Sequence, residues 1–505
     1  MLAHFLLLTI ATLFPYANAA ASYISDFIDP DFILSNEFAI HTYPAEVELV
    51  KWARQFSLKG PWSVVDKPVA PPSGDKHDYM SCSWPNCSSV GNTTVLSDEE
   101  VWKTCPYETR DGEFNPDGRL INDVGAFDDL SNAVLYNAIS AIITGGSTNL
   151  FSRNVAMFLE RWFLDPRTKM NPHLTYAQLN RGPDGQVGRH TGVLDMKGFS
   201  KIASGILILR NSNSTDYTSD IDEGMIAWCK EYIQWLDTNP KAQVERRALN
   251  NHGTFFHVQM ASLKLIIKDR EGAMQAIEDF LSNQFLVQIE GNGEQPFEAV
   301  RTRPYHYHAY NLAALISMAR IAKFIDPNSD VWTRPTSKNG TIQKALDFSL
   351  TLDAEDTNET ENASDLFPCV AAIGSVFGDP KGKYEAFLRK FNPEYATAPH
   401  FFWNQPFTGG PTPTNEAERA KMTRRISGAW ARFKRSTFNE ESELFGALQS
   451  LGKDRAHIHV EGNITPSGVK DDAALSPNAA KLFPETAPLL VQGPKQVFRS
   501  LDSEE

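Results

Sequence analysis

Apolar residues recur at helical spacing along most of the chain, and glycine and proline cut the pattern into segments. Leu130 to Thr144 is one such segment, and Gly145-Gly146 ends it. Asn149 to Phe163 is the next, stopped by Asp165-Pro166, so the two form a helical hairpin with a short turn. The same period returns at Lys197–Leu209, Asp220–Leu236, Thr254–Lys268, Arg270–Asn283, Tyr305–Phe324, Ile342–Leu350 and Tyr384–Phe391, and earlier at Glu46–Phe56. Strand-like alternation is scarce. Helix after helix, in pairs, predicts an all-α fold: an α/α toroid, an incomplete barrel of helical hairpins.

The segments without a period set the boundaries. Leu2 to Phe14 is apolar, too short to span a bilayer, and leads into Ala17-Asn18-Ala19, a small-x-small cleavage site. Residues 1–19 are therefore expected to be a signal peptide, 20–451 the toroid, and 452–505, rich in Pro, Ser, Asp and Lys, an irregular tail. Residues 61–104, rich in Pro, Ser and Asn, form a long surface excursion, and Asp353 to Leu366 a solvated acidic loop. No later stretch is apolar enough for a membrane helix, which implies a secreted protein with no membrane contact in its mature form. Sequons at Asn86, Asn92, Asn213, Asn339, Asn358, Asn362 and Asn463 fit that compartment and predict N-glycans. So does a local disulfide among Cys82, Cys87 and Cys105, whose pairing the spacing leaves open.

Composition narrows the partners. A net charge of −14 over 505 residues provides no basic footprint for nucleic acid. It leaves room for an anionic ligand in a local basic groove.

Polar residues cluster outside the helical bodies. Asn171, His173, Tyr176 and Gln178 lie in the irregular Thr168–Asp195 stretch, with Arg189 and His190 in a Gly-flanked turn. Asn250, Asn251 and His252 open one helix, where an Asn also serves as N-cap. Arg301, Arg303, Tyr305, His306, Tyr307 and His308 precede or open another. The histidine spacing lacks an i, i+4 pair and a His-Glu-x-x-His, so no metal site is predicted. A nucleophilic serine has no Gly-x-Ser-x-Gly elbow. A glycoside hydrolase would need two carboxylates, for which Asp195, Glu294 and Glu298 are available.

Amides, arginine, histidine and tyrosine together suit β-elimination on a uronic acid. The C5 proton is too weakly acidic to leave while the adjacent carboxylate stays anionic. Amide and guanidinium donors neutralise that carboxylate, a His or Tyr takes the proton, and a Tyr returns one to O4.

The same residues carry a resemblance. Asn250-Asn251-His252-Gly253-Thr254-Phe255 resembles the Asn-Asn-His signature of the alginate lyase superfamily. Gln295-Pro296-Phe297-Glu298-Ala299-Val300-Arg301 with His306-Tyr307 resembles its arginine and His-Tyr segment. Phe163-Leu164-Asp165-Pro166 with Met170 to Gln178, and Gly192-Val193-Leu194-Asp195, match two further blocks in order. Within the superfamily the chain is most similar to fungal secreted members of the glucuronan and mannuronan lyase branch. The resemblance implies an α/α toroid, a polyuronate substrate and a reaction that needs no metal or other cofactor. It implies Asn251 as carboxylate neutraliser, His252 as catalytic histidine, Arg301 as essential cation and Tyr307 as acid. Arg301 stands one residue closer to Tyr307 than in the classical members, which leaves Arg303 as an alternative cation. Asn171, His173, Tyr176, Gln178, Arg189, His190, Asn250, Arg303, Tyr305 and His308 are the expected substrate-binding set. Two other functions stand beside this one: a toroidal glycoside hydrolase using Asp195 or Glu298, and a non-catalytic protein that binds acidic polysaccharide.

Overall fold

A computed structural model describes residues 26–407, apart from 83, 86, 88–95, 109–120, 146–148, 180–181, 183–185 and 392–393. The signal peptide, the tail and the sequons at Asn86, Asn92 and Asn463 lie outside the described residues.

Among the described helices, Asp123–Thr144, Phe199–Asn211, Asn251–Ile266, Pro304–Ile325 and Phe367–Phe377 are long and buried over most of their residues. Each packs on the next in that order. Pro399–Asn404 and Tyr43–Lys59 complete the ring, since the first packs on Phe367–Phe377, the second on Asp123–Thr144, and the two on each other. Leu150–Leu159, Ser219–Thr238, Arg270–Leu281, Ile342–Ser349 and Lys383–Phe391 each cover a ring helix. Ser219–Thr238 and Arg270–Leu281 bury a single face, as an amphipathic outer layer must. This is the expected α/α toroid. Among the described residues no helix is long and apolar enough to cross a membrane.

Several elements escape the periodicity. Phe367–Phe377 is apolar all round, so it shows no period, and its burial explains why. Pro240–Arg246 is short and charged, yet it carries a residue on which the site depends. The Thr168–Asp195 stretch is more ordered than expected. Tyr176–Leu179 is a strand that pairs in parallel with Met80–Cys82, and His190–Met196 is a 3₁₀ helix.

Residues 61–104 are not merely a surface excursion. Tyr79 and Met80 are fully buried. Lys67, also buried, donates to Lys76 O at 2.8 Å and to Val64 O, and pairs with Asp123 at 3.0 Å. Asp123 in turn accepts the Met80 N–H at 2.9 Å. A buried ion pair with further hydrogen bonds thus ties this segment to the first ring helix. The Cys87–Cys105 disulfide closes its far part, while Cys229 and Cys369 are buried thiols.

The acidic Asp353–Leu366 segment also departs from expectation. It includes the 3₁₀ helix Thr360–Leu366, and Glu359 is 1% exposed. Its carboxylate accepts the backbone N–H groups of Tyr305 at 3.0 Å and His306 at 2.8 Å. A solvated loop would have left those two donors without a partner.

Lys67→Ala is expected to destabilise the fold by about 3–5 kcal/mol, because it strands a buried carboxylate. Urea melts of the variant beside the parent protein measure the loss.

Candidate active site

The site grows from the start of the Asn251–Ile266 helix. Asn250 is the N-cap, and its Oδ1 accepts the His252 N–H at 3.2 Å. The chain entering this helix passes so close that a Cβ on Gly253 would lie 2.0 Å from Ala248 O. Only glycine fits there, and the contact presses the Asn-Asn-His start against the preceding turn.

Asn251 is buried and doubly bound to Glu298. Its backbone N–H meets Oε1 and its Nδ2 meets Oε2, each at 2.7 Å. A carboxylate only accepts, so this contact fixes which end of the amide is nitrogen, and the same –NH₂ carries a second hydrogen. Glu298 lies on the short Pro296–Ala299 helix and also faces Arg301, with Nη1 at 3.8 Å from Oε2. Burial lifts the Glu298 carboxyl above its usual range, and the Asn251 hydrogen bonds and Arg301 offset part of that rise. The Arg301 guanidinium lies over the Tyr307 ring, 3.8 Å from its centroid. Tyr307 rides the first turn of the Pro304–Ile325 helix and is 8% exposed.

His252 leads in the other direction. Its Nδ1 is 2.7 Å from Oε2 of Glu245, and Nδ1 of His190 meets the other oxygen of the same carboxylate. Glu245 is 1% exposed, whereas the two imidazoles reach solvent. Because the carboxylate accepts, each Nδ1 carries a proton and each Nε2 is turned to other partners. Burial alone would raise the Glu245 carboxyl, but the hydrogen bonds and charges of His252 and His190 outweigh it and hold it below its usual value. One connected chain therefore runs His190–Glu245–His252–Asn251–Glu298–Arg301–Tyr307.

Glu245 was not among the expected site residues. Pro240-Lys241-Ala242-Gln243-Val244-Glu245-Arg246 has the composition of an exposed surface helix, and nothing in it distinguishes the one inward carboxylate. Glu298 was foreseen only as a hydrolase carboxylate and as a member of the Gln295 to Arg301 block.

Other expected residues sit elsewhere. Asn171 donates to Asp75 and Asp78, at 3.1 and 2.7 Å, and His173 Nε2 is 3.1 Å from the same Asp78 oxygen, in a cluster of their own. Tyr176 packs against the small apolar group of Met80, Ile121 and Leu179. Gln178, with φ at 47°, gives its Nε2 to Asp195 at 3.0 Å. Arg189 is partly buried, which lowers its pKa, and its backbone N–H bonds Ala177 O at 3.0 Å. Asn250 spends its side-chain oxygen on the cap. Arg303 precedes the Pro304–Ile325 helix, and its Nε is buried without a hydrogen-bond partner among the described residues.

Two groups need correction. Tyr305 and His308, expected to bind substrate, are 2% and 1% exposed. The Tyr305 hydroxyl donates to Ala363 O at 3.0 Å, and His308 Nδ1 meets Pro304 O at 2.7 Å, so both serve the interior. The hydrolase carboxylates Asp195 and Glu298 are likewise enclosed. Asp195 is held by Ser81 at 2.6 Å, Gln178 and Tyr79, and both oxygens of Glu298 are taken by Asn251. Neither can flank a glycosidic bond.

Comparison with known proteins follows the same line. The alginate lyase family model matches residues 63–359. An alginate lyase from Bacteroides ovatus is 29% identical, covers 72% of this chain and 93% of its own, and superposes with a TM-score of 0.60. Alginate lyase A1-III from Sphingomonas species A1 is 14% identical over 66% of this chain and 88% of its own, with a TM-score of 0.39. No curated protein matches the chain.

Glu245→Gln tests the shared carboxylate. A carboxyl held below its unfolded value of 4.5 contributes stability that is present above that pH and lost as pH falls through the folded value. The parent protein should therefore lead the variant in urea melts at neutral pH, and the lead should shrink below pH 4.5.

Proposed function

The chain belongs to the alginate lyase family, and from that premise we propose that this polysaccharide lyase is secreted and cleaves β-1,4-linked glucuronan or mannuronate-rich polyuronate by metal-independent β-elimination. The observation that carries the reading is the Arg301–Tyr307 stack, joined through Glu298 to Asn251.

In this mechanism the uronate carboxylate meets the second Asn251 amide hydrogen and the Arg301 guanidinium. His252, held at Nδ1 by Glu245, acts as an imidazolium and donates its Nε2–H to the same group. Together they stabilise the dianionic aci-carboxylate that forms as C5 loses its proton. Tyr307, as phenolate, takes that proton. The C5–H electron pair becomes the C4=C5 double bond, the C4–O4 bond breaks, and the phenol returns its proton to O4. Arg301 against the ring stabilises the negative charge that Tyr307 holds at the start and regains at the end. One group can serve as base and then acid only if the C5 proton and O4 leave from the same face, as in glucuronate and mannuronate. That geometry favours those two uronates over guluronate.

Arg301 is the cation in this scheme because it is the arginine on the ring. Arg303 and His190 are proposed to bind the flanking sugars, with Arg189 beside them. This cationic group sets a local field against the net charge of −14, so an acidic protein can still draw in an acidic chain. The apolar Leu2–Phe14 run with Ala17-Asn18-Ala19, and exposed sequons at Asn213, Asn339 and Asn358, support export with N-glycan addition. The likeness to the fungal glucuronan and mannuronan lyase branch belongs to the same proposal.

Incubation with glucuronan, polymannuronate and polyguluronate is expected to raise the ultraviolet absorbance of the unsaturated product with the first two. New reducing ends without absorbance would overturn elimination. Tyr307→Phe should lower turnover by about 100-fold or more while polyuronate binding changes little. EDTA should leave the rate unchanged, and a loss restored by a divalent ion would contradict the metal-free scheme.

A further inference from the structure

The first turn of the Pro304–Ile325 helix carries Tyr307, yet nothing local caps it. Arg303, the N-cap residue, makes no side-chain cap hydrogen bond. Pro304 has no N–H to satisfy, and the Tyr307 N–H already bonds Arg303 O at 3.0 Å. The orphan donors are thus Tyr305 and His306. Both are taken by Glu359, one carboxylate oxygen each, from a segment fifty-four and fifty-three positions away in sequence. Three further contacts come from that segment. The Tyr305 hydroxyl donates to Ala363 O at 3.0 Å. His306 Nδ1 meets Asp365 Oδ2 at 2.7 Å. The 3₁₀ helix Thr360–Leu366 also packs against this helix.

His306 is thereby set beside the proposed acid and base. Its ring lies edge-on to Tyr307, with centroids 5.1 Å apart, and stacks on Tyr310 at 5.4 Å. With Nδ1 spent on Asp365, its remaining ring nitrogen is Nε2, and the side chain is 23% exposed. Asp365 lies beyond the residues that the family model matches, and Glu359 is the last of them.

We propose that residues 359–365 form a clamp that positions Tyr307 for elimination, with Glu359 and Asp365 as positioning residues. Glu359 fixes the backbone of the turn, and its charge opposes the positive end of the helix. Asp365 fixes His306, whose ring walls one side of Tyr307. This inference rests on Tyr307 as the acid and base, and its test separates the two.

Hydrogen exchange of the peptide holding Tyr305 and His306 reads the clamp without any substrate. Glu359→Ala is expected to speed that exchange, and Glu359→Gln, which keeps one acceptor oxygen, to do so less. In polyuronate turnover Glu359→Ala should lower kcat by about 10- to 100-fold with KM nearly unchanged, as expected for a misplaced reacting group. Asp365→Ala should lower kcat in the same way, and Asp365→Asn, which still accepts from Nδ1, should restore most of it. Unchanged exchange in Glu359→Ala overturns the clamp, as does full kcat in both alanine variants. Should the parent protein eliminate no polyuronate, the functional reading fails and the exchange result alone decides the clamp.

Discussion

Two helix starts bear the residues of the proposed chemistry, and a buried carboxylate from elsewhere in the chain anchors each of them. Glu298 takes the Asn251 N–H at the start of Asn251–Ile266, and Glu359 takes those of Tyr305 and His306 at the start of Pro304–Ile325. The first N–H groups of any helix have no partner within it, and burying them unpaired is costly. A side chain of the first turn could have met that need locally. At the first start Glu298 shares it with the Asn250 cap, and at the second the distant Glu359 meets it alone, so His252, His306 and Tyr307 keep their side chains for other partners. The anchors also make register a tertiary property: each first turn stands where a glutamate on another element holds it.

Buried glutamates of the same type are tuned in opposite directions. Glu245 has two imidazoles on its oxygens, and their attraction exceeds the burial penalty, so its carboxyl is held low. Glu298 has a neutral amide and an arginine 3.8 Å away, and burial prevails, so its carboxyl is raised. Neighbour charge and distance decide the sign, not depth. An anionic Glu245 behind His252 suits the imidazolium that the proposed mechanism requires, with Nε2–H offered to a negatively charged sugar.

The parts of this molecule that showed in the sequence are those with a local signature. Amphipathic helices announce themselves by period, and Asn250-Asn251-His252 and Arg301 to His308 stand out as polar groups at helix starts. What did not show depends on pairs far apart in the chain. Glu245 joins His190 from 55 positions away, and Glu298 joins Asn251 from 47. No spacing rule reaches that far. Phe367–Phe377 was missed for the opposite reason: it is apolar on nearly every side and buried over its first eight residues, so no polar face makes the helix visible. Tyr305 and His308 were misjudged because a polar side chain in a dense polar stretch looks functional, whereas their polar atoms answer backbone carbonyls inside the protein.

The arginine spacing can be understood in the same terms. Arg301 lies in the turn before Pro304, and Tyr307 in the helix after it. If one rigid helix carried both, losing a residue between them would rotate one by about 100° around the axis, at 3.6 residues per turn, and separate them. They are not so joined. Glu298, three positions before Arg301, holds the guanidinium side, and Glu359 holds the helix that bears Tyr307. The turn between the two anchors only has to span them, and a long arginine side chain has the reach to settle on the ring from either length of connection. The quantity that the proposed chemistry needs is the 3.8 Å contact, and two buried carboxylates hold its two sides rather than a count of residues.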